Sequence, residues 1–216
     1  MKNLLSIIFI FSLGISLYGQ GENENQNRKN NNREISTLFG RNKVNNGGYG
    51  GIGAGYTWID NKDAVVTSAR GAWIIGHSLA LGFSGTGFIN SFHYDPYLDA
   101  NVNLTGGYGG FLIEPILFAR FPVHLSFSVV AGFGGIAYTQ TQWAADPWDI
   151  QNTWVEDYDS YLILEPGVEI ELNILKFFRM GIGLSYRMTS EINLIDTSSD
   201  ALDGLSGGLS FKFGRF

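Results

Sequence analysis

The stretch YLILEPGVEIEL, residues 161–172, puts Leu162, Leu164, Pro166, Val168, Ile170 and Leu172 on one parity and Glu165, Glu169 and Glu171 on the other. A period of two belongs to a β-strand, so one face is wholly apolar and the other carries three carboxylates. The alternation recurs in eight segments, at about 48–60, 64–76, 78–91, 101–114, 122–139, 158–173, 177–190 and 203–216. Ordinary strands have a mode of about 5–6 residues, whereas tilted strands that cross a bilayer need about 9–11. Eight long alternating segments predict an all-β fold: an eight-stranded antiparallel up-and-down transmembrane β-barrel.

Alternation alone does not say which face is inside, because a soluble lipocalin-like barrel alternates too. The polar parity decides it. Segment 177–190 sets Phe178, Met180, Ile182, Leu184, Tyr186 and Met188 against Phe177, Arg179, Gly181, Gly183, Ser185 and Arg187. Glycine and serine suit the cramped lumen of eight strands better than a solvated surface. Charged residues are only 16% of the chain, against about 25% in typical soluble domains, and aromatics reach 14%. The aromatics gather at segment ends, Tyr56 and Trp58 at one rim and Trp73, Phe178 and Phe213 at the other, as girdles at membrane interfaces do.

The beginning of the chain reads differently. MKNLLSIIFIFSLGISLYGQ has a basic Lys2, an apolar run from Leu4 to Leu17 and small residues before a cut after Gly19, so residues 1–19 are expected to be a signal peptide. Its removal takes Lys2 from the 14 basic residues and leaves 13 against 20 acidic ones, which argues against a nucleic-acid partner. The polar, Asn-rich residues 20–47 are expected to be a largely disordered leader, and 48–216 the barrel. With no cysteine and three scattered histidines, His77, His93 and His124, the sequence offers no metal site and no cofactor site.

Turn lengths predict the orientation. The connections at 76–78, 115–121 and 173–176 are short, whereas 93–102, 141–160 and 191–203 are long, the hairpin at 60–63 being the exception. Short turns on the side of the termini and long loops opposite are expected of a barrel with periplasmic termini and extracellular loops. Two local irregularities are expected. The apolar phase shifts between Phe133 and Ile136, which predicts a bulge at Gly134–Gly135. Phe216 is out of phase with Leu209, Phe211 and Phe213, which predicts a bulge or kink near Gly214 or a variant ending. The glycines of GGYGGIGAGY fall at period two with no helix following, so they read as packing positions and not as a phosphate loop.

The buried polar face then needs partners for its charges. Arg70, Glu165, Glu169, Glu171, Arg179, Arg187 and Lys212 are the expected lumen network, four cations against three carboxylates. Glu171 and Arg179 are expected nearly opposite one another, joined by Glu169 and Lys212 on the terminal side, with Glu165 deeper and in reach of Arg187 or Arg70. Such a plug, with Phe177 filling space beside it, leaves no aqueous pore.

On these residues the chain resembles the small eight-stranded outer-membrane barrels of the OmpA/OmpX type, with Gly-rich strands similar to uncharacterised barrels of Bacteroidetes-type envelopes. The closing stretch GLSGGLSFKFGRF is similar to the terminal strand that such proteins present to the barrel-assembly machinery, with Phe216 as the final aromatic. The resemblance implies outer-membrane lipid and that machinery as partners, and it supplies no catalytic residue. Function is then expected in the loops: a structural or interaction role toward an unidentified extracellular ligand or protein. The 141–160 segment offers Trp143, Trp148 and Trp154 among carboxylates for such contacts. The alternative is a membrane-embedded lipid-modifying or proteolytic enzyme with a site at the outer rim near His93, which has Ser91 and Asp95 beside it.

Overall fold

The computed structural model describes residues 46–95, 100–142, 152–195 and 197–216. The expected signal peptide and all but the last two residues of the expected leader lie outside the described residues. What is described contains no helix. The strands are β1 (Gly47–Ile59), β2 (Lys62–Ile75), β3 (Leu79–Asn90), β4 (His93–Asp95), β5 (Ala100–Leu117), β6 (Val123–Gln142), β7 (Asn152–Leu175), β8 (Phe178–Thr189) and β9 (Gly204–Arg215). They pair antiparallel in the order β3-β2-β1-β9-β8-β7-β6-β5-β4, and β3 also pairs with β5, which closes eight strands into a ring. The ninth, β4, is a three-residue strand alongside one end of β5.

The ring is staggered. Followed once around, the registers run Gly47, Ile74, Ala80, Glu114, across to Ser128 in the register set by Ile113 with Val129 and Ile116 with Ser126, then Gly167, Ser185, Ser206 and back to β1 at Thr57, ten residues on (57 − 47). This shear tilts every strand across the barrel axis. At one end, called here the terminal end, β1 begins and β9 stops; the other is the loop end. The β1–β2 hairpin at the loop end turns on Asp60 and Asn61, both at positive φ, the two-residue turn whose twist matches its strands.

Outward and inward faces follow the sequence alternation. Phe83, Phe133, Leu162, Ile182 and Leu184 stand exposed on the wall, whereas His124, Ser126, Arg179 and Lys212 are buried inside. Tyr56 and Trp58 pack edge to face at the loop-end rim, and Phe178 stacks on Phe213 near the terminal end, ring centroids 4.9 Å apart. Phe177 departs from the expectation: it lies in the β7–β8 turn and is exposed, filling no lumen space.

Both expected irregularities are absent. The ladders of β6 to β5 and β7 run unbroken through Gly134 and Gly135, and the register shift comes at Tyr138/Thr139, opposite Glu156. Ile136 is apolar yet faces inward, because this part of the lumen is itself apolar; the phase change marked a change of environment and not an extra residue. The β9 ladder likewise reaches Arg215 in register, so Phe216 continues the inward parity and stacks on Tyr49 inside the terminal mouth, centroids 6.1 Å apart.

Strand lengths differ from expectation on one side. β5, β6 and β7 have 18, 20 and 24 residues against 12–14 in the other barrel strands. Residues 152–157, expected as loop ahead of the segment at 158–173, therefore belong to β7, and β7 rises eleven residues (163 − 152) past its last pair with β8.

Candidate functional site

Every lumen-facing charge of the expected network lies on a strand whose other parity meets the outside of the wall. In the terminal half they converge on Lys212. Its ammonium lies 2.7 Å from Glu171 Oε1, 3.1 Å from Glu114 Oε1 and 3.3 Å from Glu169 Oε2. Arg70 Nη1 adds contacts of 3.3 Å to Glu169 and 3.6 Å to Glu114. Glu171 is the second centre: Arg179 Nη1 at 3.6 Å and His124 Nε2 at 3.1 Å reach its Oε2, and Ser126 Oγ donates to Oε1 at 2.6 Å. Tyr49 donates its hydroxyl to Glu114 at 2.9 Å, and Ser210 donates to Glu169. Lys212, Glu114, Glu171 and His124 are each all but inaccessible, which is sustainable because each charge meets several opposite or hydrogen-bonding groups.

Glu114 is the residue sequence reasoning missed. Among the described residues it joins Glu165, Glu169 and Glu171 as a fourth glutamate facing the lumen, against Arg70, Arg179, Arg187 and Lys212. The signal was present, since Tyr108, Gly110, Leu112, Glu114 and Ile116 alternate inward along β5. Pro115 made that stretch read as the start of a turn, but it sits within β5, on the outward parity. Tyr49, His124 and Ser126 were also not foreseen as partners.

Two expected pairings are corrected. Glu171 stands opposite Gly181 and Arg179 opposite Asn173, because an irregularity between Asn173 and Leu175 moves the hairpin register. Arg179 reaches Glu171 diagonally and lays its guanidinium 3.8 Å over the Phe216 ring. Glu165 meets neither Arg187 nor Arg70 directly: it accepts from Tyr108 at 2.9 Å and Ser185 at 2.7 Å. Gly181 explains how Glu169 fits, since a Cβ there would stand 2.1 Å from Glu169 Oε1.

Above this network lies a cavity of about 100 Å³, lined by Arg70, Glu165 and Glu169 and by hydroxyls including Ser68, Ser84, Thr86 and Ser128. Above the cavity the lumen turns apolar: Ile59, Phe88, Val102, Leu104, Ile136, Ile163, Ile192 and Leu202 form one buried cluster. A smaller apolar cap of Tyr49, Ile74, Ala80 and Ile116, with Phe216 against it, closes the terminal mouth.

At the loop end, Trp154 lies exposed on β7, and Trp143 and Trp148 lie outside the described residues. Of the nearby carboxylates, Asp157 accepts the Ile195 N–H at 3.0 Å and Asp159 the Asn193 N–H at 2.7 Å, so both pin the 190–203 connection to β7. The N–H groups of Asn193 and Ser160 hold the Asp159 carboxyl below its ordinary range. His93 is half-buried on β4, 6.4 Å from the Tyr138 ring, and burial pushes its imidazole below the usual histidine range, with Lys62 adding to the effect. Tyr138 donates to Asp95 at 2.8 Å, and Ser91 Oγ donates to the Asp63 carbonyl at 3.0 Å. The structure thus aligns neither Ser91 nor Asp95 with His93 as a nucleophile or orienting pair. Among the described residues no group of three His, Cys, Asp or Glu side chains is arranged to hold a metal.

No family model matches the sequence, and no curated protein does. Among solved structures, the chain is similar to the N-terminal β-barrel domain of Pseudomonas aeruginosa OprF at 14% identity, covering 79% of this chain and 97% of that one, with a TM-score of 0.38. It is similar to Neisserial surface protein A at 10% identity, covering 79% and 96%, TM-score 0.49. It is also similar to Ail of Yersinia pestis, in a complex with the heparin analogue sucrose octasulfate, at 11% identity, covering 78% and 98%, TM-score 0.48. The fold itself is read from the closed ladder.

Proposed function

We propose that this chain is an integral outer-membrane barrel that works through its loop end, with a lumen closed to solutes. The observation that carries the reading is the inversion of the usual pattern: a continuous apolar wall faces outward while the charges are buried inside. Such a wall requires lipid. The long connections and the raised β5–β7 sheet then face the cell exterior, and the short turns at Gly76–His77 and Lys176–Phe177 face the periplasm. Outer-membrane lipid is the partner along the wall, and the barrel-assembly machinery is the partner of β9 during insertion. Trp154, together with Trp143 and Trp148, is the candidate contact with an extracellular ligand or protein.

Conduction is unfavourable in this reading, because two apolar clusters and a balanced charge network block the axis. The test of location and orientation is protease added to intact cells. Cuts within 143–160 or 191–203 with the 173–177 turn left whole are expected. A cut confined to the 173–177 turn would reverse the orientation, and recovery of the intact chain in the soluble fraction would remove the membrane reading altogether.

A further inference from the structure

We propose that Arg187 is the latch of an outer seal, and that Glu165 is the acceptor it moves to when the seal opens. Arg187 sits on β8 with 1% of its surface exposed. Its Nε–H donates to the Leu202 carbonyl at 2.9 Å, Nη1 to Ser206 Oγ at 2.8 Å, and Nη2 to Thr57 Oγ1 at 2.8 Å and the Trp58 carbonyl at 3.3 Å. One guanidinium therefore ties the 190–203 connection to the loop ends of β1 and β9. Leu202, the residue it holds by its carbonyl, is fully buried in the apolar cluster above the cavity.

None of these four acceptors is a carboxylate, and among the described residues no ion pair involves Arg187 or Glu165. That is unexpected from the register. The β7–β8 ladder pairs Leu164 with Met188 and Gly167 with Ser185 and is interrupted between them, so its register sets Glu165 and Arg187 opposite one another, both on the lumen parity. Residues directly opposite have Cβ atoms about 4.5–5.5 Å apart, well within the reach of an arginine stem. Glu165 instead turns toward the cavity, where among the described residues the hydroxyls of Tyr108 and Ser185 hold it.

The two side chains thus have a second arrangement available. In the closed one, neutral oxygens satisfy the guanidinium and its carboxylate neighbour stays apart. In the other, Arg187 rotates into the cavity and pairs with Glu165, so that the guanidinium meets an opposite charge in place of neutral oxygens. The Leu202 and Trp58 carbonyls are then released to water as the Leu202 turn lifts. Lifting Leu202 also gives up the Asp60 N–H bond to the adjoining Ala201 carbonyl, whereas Asp203 still accepts the Thr189 N–H and Asp159 the Asn193 N–H, which keeps both ends of the connection anchored. The network around Lys212 does not change, so opening converts the cavity into a polar pocket reached from the loop end and not into a pore.

The chain has no cysteine, so Leu202→Cys provides a single reporter, read as the maleimide labelling rate of the refolded full chain in detergent. Labelling is expected to be slow in the Leu202→Cys parent. Arg187→Met should raise it at least tenfold, and Glu165→Gln, which weakens the open state, should lower it. A cysteine at Ser126, inside the terminal network, should stay unlabelled in all three backgrounds. An Arg187→Met rate within twofold of the parent, or a Glu165→Gln rate equal to or above it, would overturn the latch. If Arg187→Met fails to fold, as judged by heat-modifiable gel migration, the Glu165→Gln rate alone decides in the same way.

Discussion

The two halves of the lumen share the same eight strands and the same outward wall, yet they are filled by opposite chemistry. The terminal half is packed with charge: Lys212 alone touches three carboxylates, and Arg70, Arg179 and His124 complete the set. The loop half is built on an apolar core of Ile59, Val102, Leu104, Ile136 and Leu202, with Arg187 and the buried polar groups Asn90, Asn103 and Asp95 at its edges. The difference shows what a closed wall permits. A charge inside the ring cannot reach solvent easily, so it is stable only where partners are dense, and such partners come from β2, β5, β6, β7, β8 and β9 together. An apolar filling needs only shape, and can therefore be built partly from a connection, 190–203, that belongs to no strand.

The largest effect should come from the hub. Lys212→Met removes a cation shared by Glu114, Glu169 and Glu171 and leaves carboxylates under-compensated; a loss of about 3–5 kcal/mol in urea unfolding from lipid vesicles is expected, by analogy with other broken buried pairs. Leu104→Ala in the loop half should cost about 2–5 kcal/mol through cavity formation, and the cost should be insensitive to salt and pH. If the Lys212 variant is the milder of the two, the charged half is not the more demanding filling.

The wall can be tested against the lumen at a single level. Leu184→Arg on the outward parity of β8 should cost about 2–4 kcal/mol in lipid. Ser185→Arg next to it faces the cavity and Glu165 and should cost clearly less. Equal losses would mean that the inward and outward parities were misassigned. A smaller change is expected from Phe216→Leu, which forfeits the cation–π contact with Arg179, worth about 0.5–2 kcal/mol. The smallest concerns pH at the loop end. The Asp159 carboxyl is lowered by the N–H groups it accepts, so its pin on Asn193 is complete above the ordinary aspartate value of about 4 and is lost as pH falls through the lowered one. Proteolysis of the 190–203 connection by an acid-active protease should quicken below that range, and Asp159→Asn should abolish the dependence.

The wall and strand count were legible because a period of two is written into nearly every residue from Tyr49 to Phe213, and lipid outside tolerates few exceptions. Arg70, Glu169, Glu171, Arg179 and Lys212 were legible as lumen charges for the same reason. Their pairings were less so. Asn173 and Leu175 shift the β7–β8 register by an irregularity that no residue type announces, which moved Glu171 from Arg179 to Gly181. Glu114 was hidden by Pro115, a residue that signals a turn in most contexts but is tolerated on an outward position here. Ile136 and Phe216 misled in a shared way: both are apolar residues facing inward, and an expectation of one chemistry for the whole lumen turned them into bulges.

The pairing of β1 with β9 has a kinetic meaning. Gly48 and Arg215, partners in the seam, are separated by most of the barrel sequence, and the contact that joins them is the one that removes the last open edge. Until β9 arrives, both β1 and the growing far edge present unpaired backbone groups, the form most prone to pair with other chains. Ring closure of so distant a contact is slow for entropic reasons. A newly made chain is therefore most prone to aggregate in the interval before the seam forms.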